Sequence, residues 1–134
     1  MMIMMNENLR SIFDEITLDK KLSLVQLKIL SEEFEERFWK ALQKVMEQGV
    51  KKYNFIPSNR IVWIVIGNKR DYLIISDLYC SCDDFYLNVV VRKTAKMCYH
   101  LLSKVLATAF GFYEEITVED ERYDQLMKDW KRIK

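Results

Sequence analysis

Apolar residues between Asn6 and about Lys52 recur at helical spacing: Leu9, Ile12, Phe13 and Ile16, then Leu22, Val25 and Ile29, then Phe34, Phe38, Leu42, Val45 and Met46. That period predicts two or three amphipathic helices in a helical region spanning 6–56. Ser31, followed by Glu32 and Glu33, is placed to cap the long one, and Glu33/Arg37, Glu36/Lys40 and Glu47/Lys51 set acid before base one turn apart. Phe34, Phe38 and Trp39 form an aromatic stripe on this helix, read first as core and otherwise as a docking face. Asn54-Phe55-Ile56-Pro57-Ser58-Asn59 then breaks the pattern with a proline and turn formers.

From Arg60 the pattern is extended. The run Ile61-Val62-Trp63-Ile64-Val65-Ile66 stops at Gly67-Asn68-Lys69-Arg70 and resumes as Tyr72-Leu73-Ile74-Ile75, which predicts a hairpin. Its first strand is apolar on both faces, Ile61/Trp63/Val65 and Val62/Ile64/Ile66, so each face needs a cover. Helices supply one. The other comes either from the N-terminal helices or from a partner protein on an exposed apolar patch, for which Ile61, Trp63, Val65 and Trp130 are the candidates.

Asp83 to Val91 reads as a short helix, although its three valines favour strand. Cys98 opens a strong helix that buries Leu101, Leu102, Val105, Leu106, Ala109 and Phe110 and ends near Gly111, a residue suited to a C-cap. Thr117-Val118-Glu119-Asp120 resembles a capping box, predicting a last helix over 116–133 with Tyr123, Leu126, Met127 and Trp130 inward. Lys128, Lys131, Arg132 and Lys134 suit the C-terminal end of its dipole. The expected fold is α+β in a single domain over 1–134. N-terminal helices come first, a β-hairpin leads into a finger over 60–113, and a C-terminal helix closes the chain.

All three cysteines and the single histidine fall in one pattern, Cys80-x-Cys82, fifteen residues, then Cys98-x-His100. Residues two apart on a strand point to the same side, so Cys80 and Cys82 can reach one ion from the end of an extended segment. Two residues on a helix differ by about 200° of rotation, so Cys98 must stand at or just before a helix start with His100 in the first turn. Three thiolates and an imidazole suit tetrahedral zinc, and a closed Cys3His set leaves no open position for a substrate. The expected cofactor is one structural zinc.

Three is an odd number of cysteines for disulfides, and thiolate ligands suit a reducing compartment. The first residues, Met1 to Glu7, lack a basic region and reach an acid early, so neither a signal peptide nor a membrane span is expected. The expected location is intracellular, cytoplasmic in a prokaryote or nuclear in a eukaryote. Lys and Arg total 21 against 20 Asp and Glu, a formal charge of +1 that a zinc ion with three thiolates brings close to neutral. That balance disfavours a stand-alone, non-specific nucleic-acid binder. The only glycines are Gly49, Gly67 and Gly111, and no G-x-x-x-x-G-K-[ST] loop is present. With its single histidine committed to metal, the chain cannot build a histidine-based triad, and no enzymatic activity is expected.

The order of hairpin, C-x-C, spacer and C-x-H on a helix resembles the SWIM zinc finger. The stretch Tyr79-Cys80-Ser81-Cys82, Phe85, Val89, Arg92-Lys93 and Cys98-Tyr99-His100-Leu101-Leu102 resembles more closely the SWIM-domain subunit of Shu-type recombination complexes. The resemblance is dense from Tyr79 to Leu102 and weak before Ile61. One position departs: the Shu-type pattern continues C-x-H-x-x-A, and this chain has Ser103, whose hydroxyl can return to the carbonyl one turn back. The resemblance implies an accessory role in homologous recombination and DNA repair. It implies pairing with a RecA-family recombinase paralogue, contact with single-stranded DNA through the complex, and no membrane; a homodimer of the isolated chain stays open. The alternative is a self-sufficient nucleic-acid-binding SWIM finger. Arg92, Lys93 and Lys96 are candidate phosphate contacts, with Tyr86 or Tyr99 as a base platform; equally, these cations balance the thiolates.

Overall fold

The structure, a computed structural model, describes residues 7–75 and 79–131. Three helices lead: α1 (Glu7–Asp19), α2 (Leu24–Phe34) and α3 (Glu36–Met46). Leu9, Ile12, Phe13 and Ile16 are the buried face of α1, as their spacing predicts. The capping prediction is corrected. Ser23, not Ser31, caps α2: its Oγ accepts from the Gln26 N–H at 3.2 Å while Gln26 Oε1 accepts from the Ser23 N–H at 2.9 Å. Ser31 lies inside α2 and its hydroxyl donates to the Lys28 carbonyl. The long helix expected there is interrupted at Glu35, whose φ of 54° lies in a region unfavourable to a residue with a Cβ.

The helical region also ends sooner than 56. Gln48 has a φ of 61°, which turns the chain out of α3, and Val50–Ile56 forms the strand β1. Glu47 and Lys51 therefore do not share a helix: Glu47 pairs with Lys44 and Lys51 with Glu114. The break at Pro57 is the turn between β1 and β2 (Arg60–Val65), which pair antiparallel from Val50↔Val65 to Phe55↔Arg60. The predicted hairpin of β2 with β3 (Tyr72–Ile75) is present, and β4 (Tyr79–Cys80) joins its far edge.

A one-and-a-half-turn π-helical segment (Phe85–Val91) follows, then α4 (Tyr99–Phe110), which ends at Gly111 in the left-handed conformation with φ 69°. The predicted helix over 116–133 is half strand. Glu114–Glu119 is β5, parallel to β1 from Lys51↔Glu114 to Ile56↔Glu119, and helix α5 (Tyr123–Lys131) starts only after a 3-10 turn at Asp120–Arg122. Thr117 is a strand residue. Asp120 instead accepts from the Ser58 N–H and hydroxyl, tying the β1–β2 turn to the start of the last helix. Lys128 and Lys131 occupy the last turn of α5; Arg132, Lys134 and Asn6 lie outside the described residues.

The sheet order is β4-β3-β2-β1-β5. Trp63 and Val65 of β2 join Val50 and Ile74 under α1, α3 and α4, while Val62 and Ile64 join Phe55, Leu73 and Val118 under Met127 and Trp130 of α5. Both faces of the central strand are thus covered by the chain itself, the N-terminal helices on one side and α5 on the other. Of the four candidate partner residues, Trp63, Val65 and Trp130 are buried in these cores, and only Ile61 is exposed. The aromatic stripe divides likewise: Phe34 and Phe38 are core, and Trp39 is half exposed with its ring 5.0 Å from Phe38, edge to face. Accordingly, Phe38→Ala should lower the unfolding free energy of the zinc-loaded protein by about 3–5 kcal/mol, and Trp39→Ala by about 1 kcal/mol or less. Urea denaturation reads both, and equal losses would contradict this division.

Candidate metal centre

Cys80 is the last residue of β4, and Cys82 stands two residues on, at the bend that leads into the next helical segment. The residue between them is anchored to β3. The Ser81 N–H donates to the Leu73 carbonyl at 3.0 Å, the Leu73 N–H donates to Ser81 Oγ at 3.0 Å, and Arg70 donates to the Ser81 carbonyl. With Ser81 turned to β3, strand alternation places both cysteines on the opposite side. Cys98 is the N-cap of α4, with φ −76° and ψ 168°, and its sulfur accepts from the Leu101 N–H at 3.4 Å. His100 stands in the first turn. The Cys82 sulfur likewise accepts a backbone N–H, that of Phe85, at 3.3 Å.

The three sulfurs and one ring nitrogen of His100 lie within 4.8 Å of one another, and all four residues are buried. Tetrahedral zinc with sulfur at ~2.3 Å requires sulfurs ~3.8 Å apart, so the set closes on an ion without rearranging the backbone. His100 supplies independent support: both of its ring nitrogens are buried and neither meets a hydrogen-bond partner in the structure. An unmet buried polar atom costs ~1–3 kcal/mol, and coordination would satisfy one of the two. The imidazole is held between Tyr72 and Tyr99, each with its centroid 3.9 Å away. The cofactor is therefore zinc in a Cys3His site, and the metal's role is to neutralise three thiolates and pin the end of β4 to the start of α4.

Without a cation these sulfurs share protons. The hydrogen bond with Cys82, then that with Cys98 and burial, raise the Cys80 thiol far above the ordinary range, and Cys82, which accepts from Cys80 and Cys98, is correspondingly depressed. For Cys98 the bond with Cys80 lowers the pKa, but the bond with Cys82 and burial outweigh it, and the thiol is pushed up to about 12.

Around this centre, Arg37 of α3 makes a two-pronged bond to Asp84, at 2.9 and 2.7 Å, and Asn88 donates to the same carboxylate. The Arg37 bond, with Asn88 adding to it against burial, holds Asp84 below the usual carboxylate range. Lys96 pairs with Glu33 of α2, and Arg92 donates to Asn88 Oδ1 at 3.2 Å. Of the three cations offered as phosphate contacts, two are thus engaged within the domain, and Lys93 stands exposed with φ 57°. Tyr86 is exposed, whereas Tyr99 is half buried against His100. The supporting residues Arg70, Tyr72, Ser81 and the Arg37–Asp84 clasp were not identified from sequence. Only Ser81, lying between two ligands, had a local signal. Among the described residues no helix is long and apolar enough to cross a membrane.

Fold and site together define a zinc-binding domain that joins a strand end to a helix start. The chain is 29% identical over 92 residues to zinc finger SWIM domain-containing protein 7 homolog of Dictyostelium discoideum, covering 67% of the chain and 59% of that protein. It is 33% identical over 81 residues to zinc finger SWIM domain-containing protein 7 of Mus musculus, covering 58% of the chain and 53% of that protein. The protein of the same name in Danio rerio is 32% identical over 73 residues, 53% of the chain and 52% of its own length. These relatives support a SWIM zinc finger. The chain spans about half the length of the curated relatives it matches. No family model matches it.

Two outcomes are expected. His100→Ala or Cys80→Ser should abolish stoichiometric zinc, read by elemental analysis, and with it the near-ultraviolet dichroism of the folded core. Structural zinc is worth an apparent ~10–16 kcal/mol in finger peptides, and here the ligands share one core with α1 and α3. Equal stability of wild type and variant, both metal-free, would contradict the assignment. Second, at pH 7 the metal-free site keeps protons on Cys80 and Cys98, whose pKa values are raised, and none on Cys82. Zinc must displace both, so affinity should rise by ~100-fold per pH unit near neutrality, with about two protons released per ion. Calorimetry in buffers of different ionisation enthalpy measures that number, and a value near zero would contradict this proton distribution.

Proposed function

We propose that the protein is a non-catalytic, zinc-binding accessory subunit in homologous recombination and DNA repair. In this reading it pairs with a RecA-family recombinase paralogue and assists the recombinase on single-stranded DNA. The observation that carries the reading is the closed, buried Cys3His set within the Tyr79 to Leu102 stretch that resembles the Shu-type SWIM subunit. Four protein ligands fill the tetrahedron, so the metal offers no position for a substrate and acts as a clamp.

Two further features support it. The chain has no phosphate-binding loop, so ATP turnover belongs to the partner. Leu24, Val25 and Ile29 of α2, with Leu18 of α1, are exposed apolar side chains of the kind a protein partner buries. Of the hairpin and last-helix candidates, Trp63, Val65 and Trp130 are spent on the cores, while Ile61 and, on β3, Ile75 stay exposed.

Affinity purification from the native host, with nuclease treatment, tests the proposal. A RecA-fold ATPase should co-elute in stoichiometric amount. Recovery of the protein alone, or with nucleic acid only before nuclease treatment, would overturn the adaptor reading in favour of a self-sufficient nucleic-acid-binding finger.

A further inference from the structure

Of the four ligands, Cys82 and His100 border a cleft of about 500 Å³ whose walls also carry Lys69, Arg70 and Tyr72. Cys80 and Cys98 do not reach it. They are 1% and 0% exposed, against 5% for Cys82 and 4% for His100. The metal centre is therefore least covered on the cleft side, and whatever holds Cys82 and His100 there decides how firmly the ligand set stays closed.

One side chain touches the support of both. The Arg70 guanidinium donates to the Ser81 carbonyl, which belongs to the peptide unit leading into Cys82, and a longer bond of 3.4 Å reaches Ser81 Oγ. The same guanidinium lies 4.8 Å over the Tyr72 ring, and Tyr72 stacks on His100 with centroids 3.9 Å apart and 27° between planes. Among the described residues Arg70 pairs with no carboxylate, so its contacts go to the support of the metal centre and not to an ion pair. A planar guanidinium can donate from its edge while its face packs on a ring, and an ammonium cannot do both. A residue of the β2–β3 connection thus fastens the C-x-C half of the centre to the C-x-H half.

We infer that Arg70 is the positioning residue of the metal centre: it fixes the two cleft-side ligands, Cys82 through Ser81 and His100 through Tyr72, and so sets how tightly the ion is kept. The inference rests on the Cys3His assignment and is independent of the recombination reading. Arg70 is not itself a ligand, and its removal leaves all four ligands in place while freeing two of them to move. Outer-shell partners of this kind are worth about 10–100-fold in metal affinity.

Transfer of zinc from the loaded full chain to an excess of a chromogenic chelator tests it. Arg70→Ala should release zinc about 10–100-fold faster, with one zinc per chain and the near-ultraviolet dichroism of the zinc-saturated protein unchanged. Arg70→Lys, which keeps the charge and loses the plane, should stay within about threefold of the alanine variant. Lys69→Ala, which removes only a neighbouring exposed charge, should stay within about threefold of the wild type. Tyr72→Leu cuts the His100 branch alone and should speed release several-fold, which keeps the inference testable where Arg70→Ala does not fold. In the cobalt-substituted protein, whose ligand-field bands report the tetrahedral geometry, Arg70→Ala should shift the bands and Lys69→Ala should not. Release at the wild-type rate from Arg70→Ala or Tyr72→Leu, restoration by lysine, an equal effect of Lys69→Ala, or an unchanged cobalt spectrum would overturn the inference. If the wild type takes up no zinc, the Cys3His assignment fails and the inference with it; if the wild type holds zinc and the variants release it no faster, the assignment stands and the inference alone fails.

Discussion

Three buried sulfurs within one ligand cluster cannot all carry charge unless a cation sits among them. At ~4 Å and an effective dielectric of ~20, each pair of like charges costs ~4 kcal/mol, so the metal-free cluster must hold protons. The rest of the finger hangs on how that conflict is resolved. Strand β4 is only two residues long, too short to be stable by pairing alone, and Cys98 is both a ligand and the N-cap of α4. A divalent cation therefore decides where the central helix begins as well as whether the sheet edge closes. Leu101, Leu102 and Leu106 of that helix are fully buried against α1, α3 and the sheet, so a local coordination event has a domain-wide consequence.

The N-terminal helices are coupled to the finger by more than apolar packing. Arg37 and Asp84 are 47 positions apart in sequence, and Glu33 and Lys96 are further still, yet both pairs bridge α2 and α3 to the spacer between the ligand pairs. The Arg37–Asp84 clasp is about one-third exposed, so its worth belongs near the upper end of the ~0.2–1 kcal/mol typical of exposed pairs. Asp84's depressed pKa means that this contribution is complete above the unfolded carboxylate value of ~3.9 and is lost as pH falls through the lower folded value. The clasps thus orient the spacer more than they stabilise the fold. On the opposite side, the Asp120 bonds to Ser58 do the same for α5.

What could be read from sequence was what local chemistry dictates. The C-x-C and C-x-H spacings predicted a strand end and a helix start because two-residue periodicity has different meanings in the two geometries, and Gly111 marked the end of α4. The errors fall where a tertiary partner decided between local options. Val50–Ile56 and Glu114–Glu119 are each mixed in propensity, with charged residues beside β-branched and aromatic ones. They become strands because they pair with each other in parallel across more than sixty positions, from Lys51↔Glu114 onward. Ser31 and Thr117 are acceptable caps by composition, and only the backbone turns at Glu35 and the pairing of β5 exclude them. The cover of the sheet by α5 is hidden for the same reason, since a helix over 116–133 would run through the strand that positions it.

Ser103 bears on how the finger is used. It departs from the alanine of the Shu-type pattern, yet it is fully buried, and its hydroxyl donates to the Tyr99 carbonyl at 2.7 Å, one turn back on α4. The extra oxygen is therefore satisfied inside the helix and presents nothing to the surface, at a packing cost that is small because serine is nearly isosteric with alanine. The hydroxyl's acceptor belongs to Tyr99, which stacks on the ligand histidine, so this position is tied to the support of the metal site. Buried ligands, a buried Ser103 and an N-cap that is itself a ligand make the finger a platform held from within. Surface residues around it then set what binds, while the core positions decide only how firmly the platform is held.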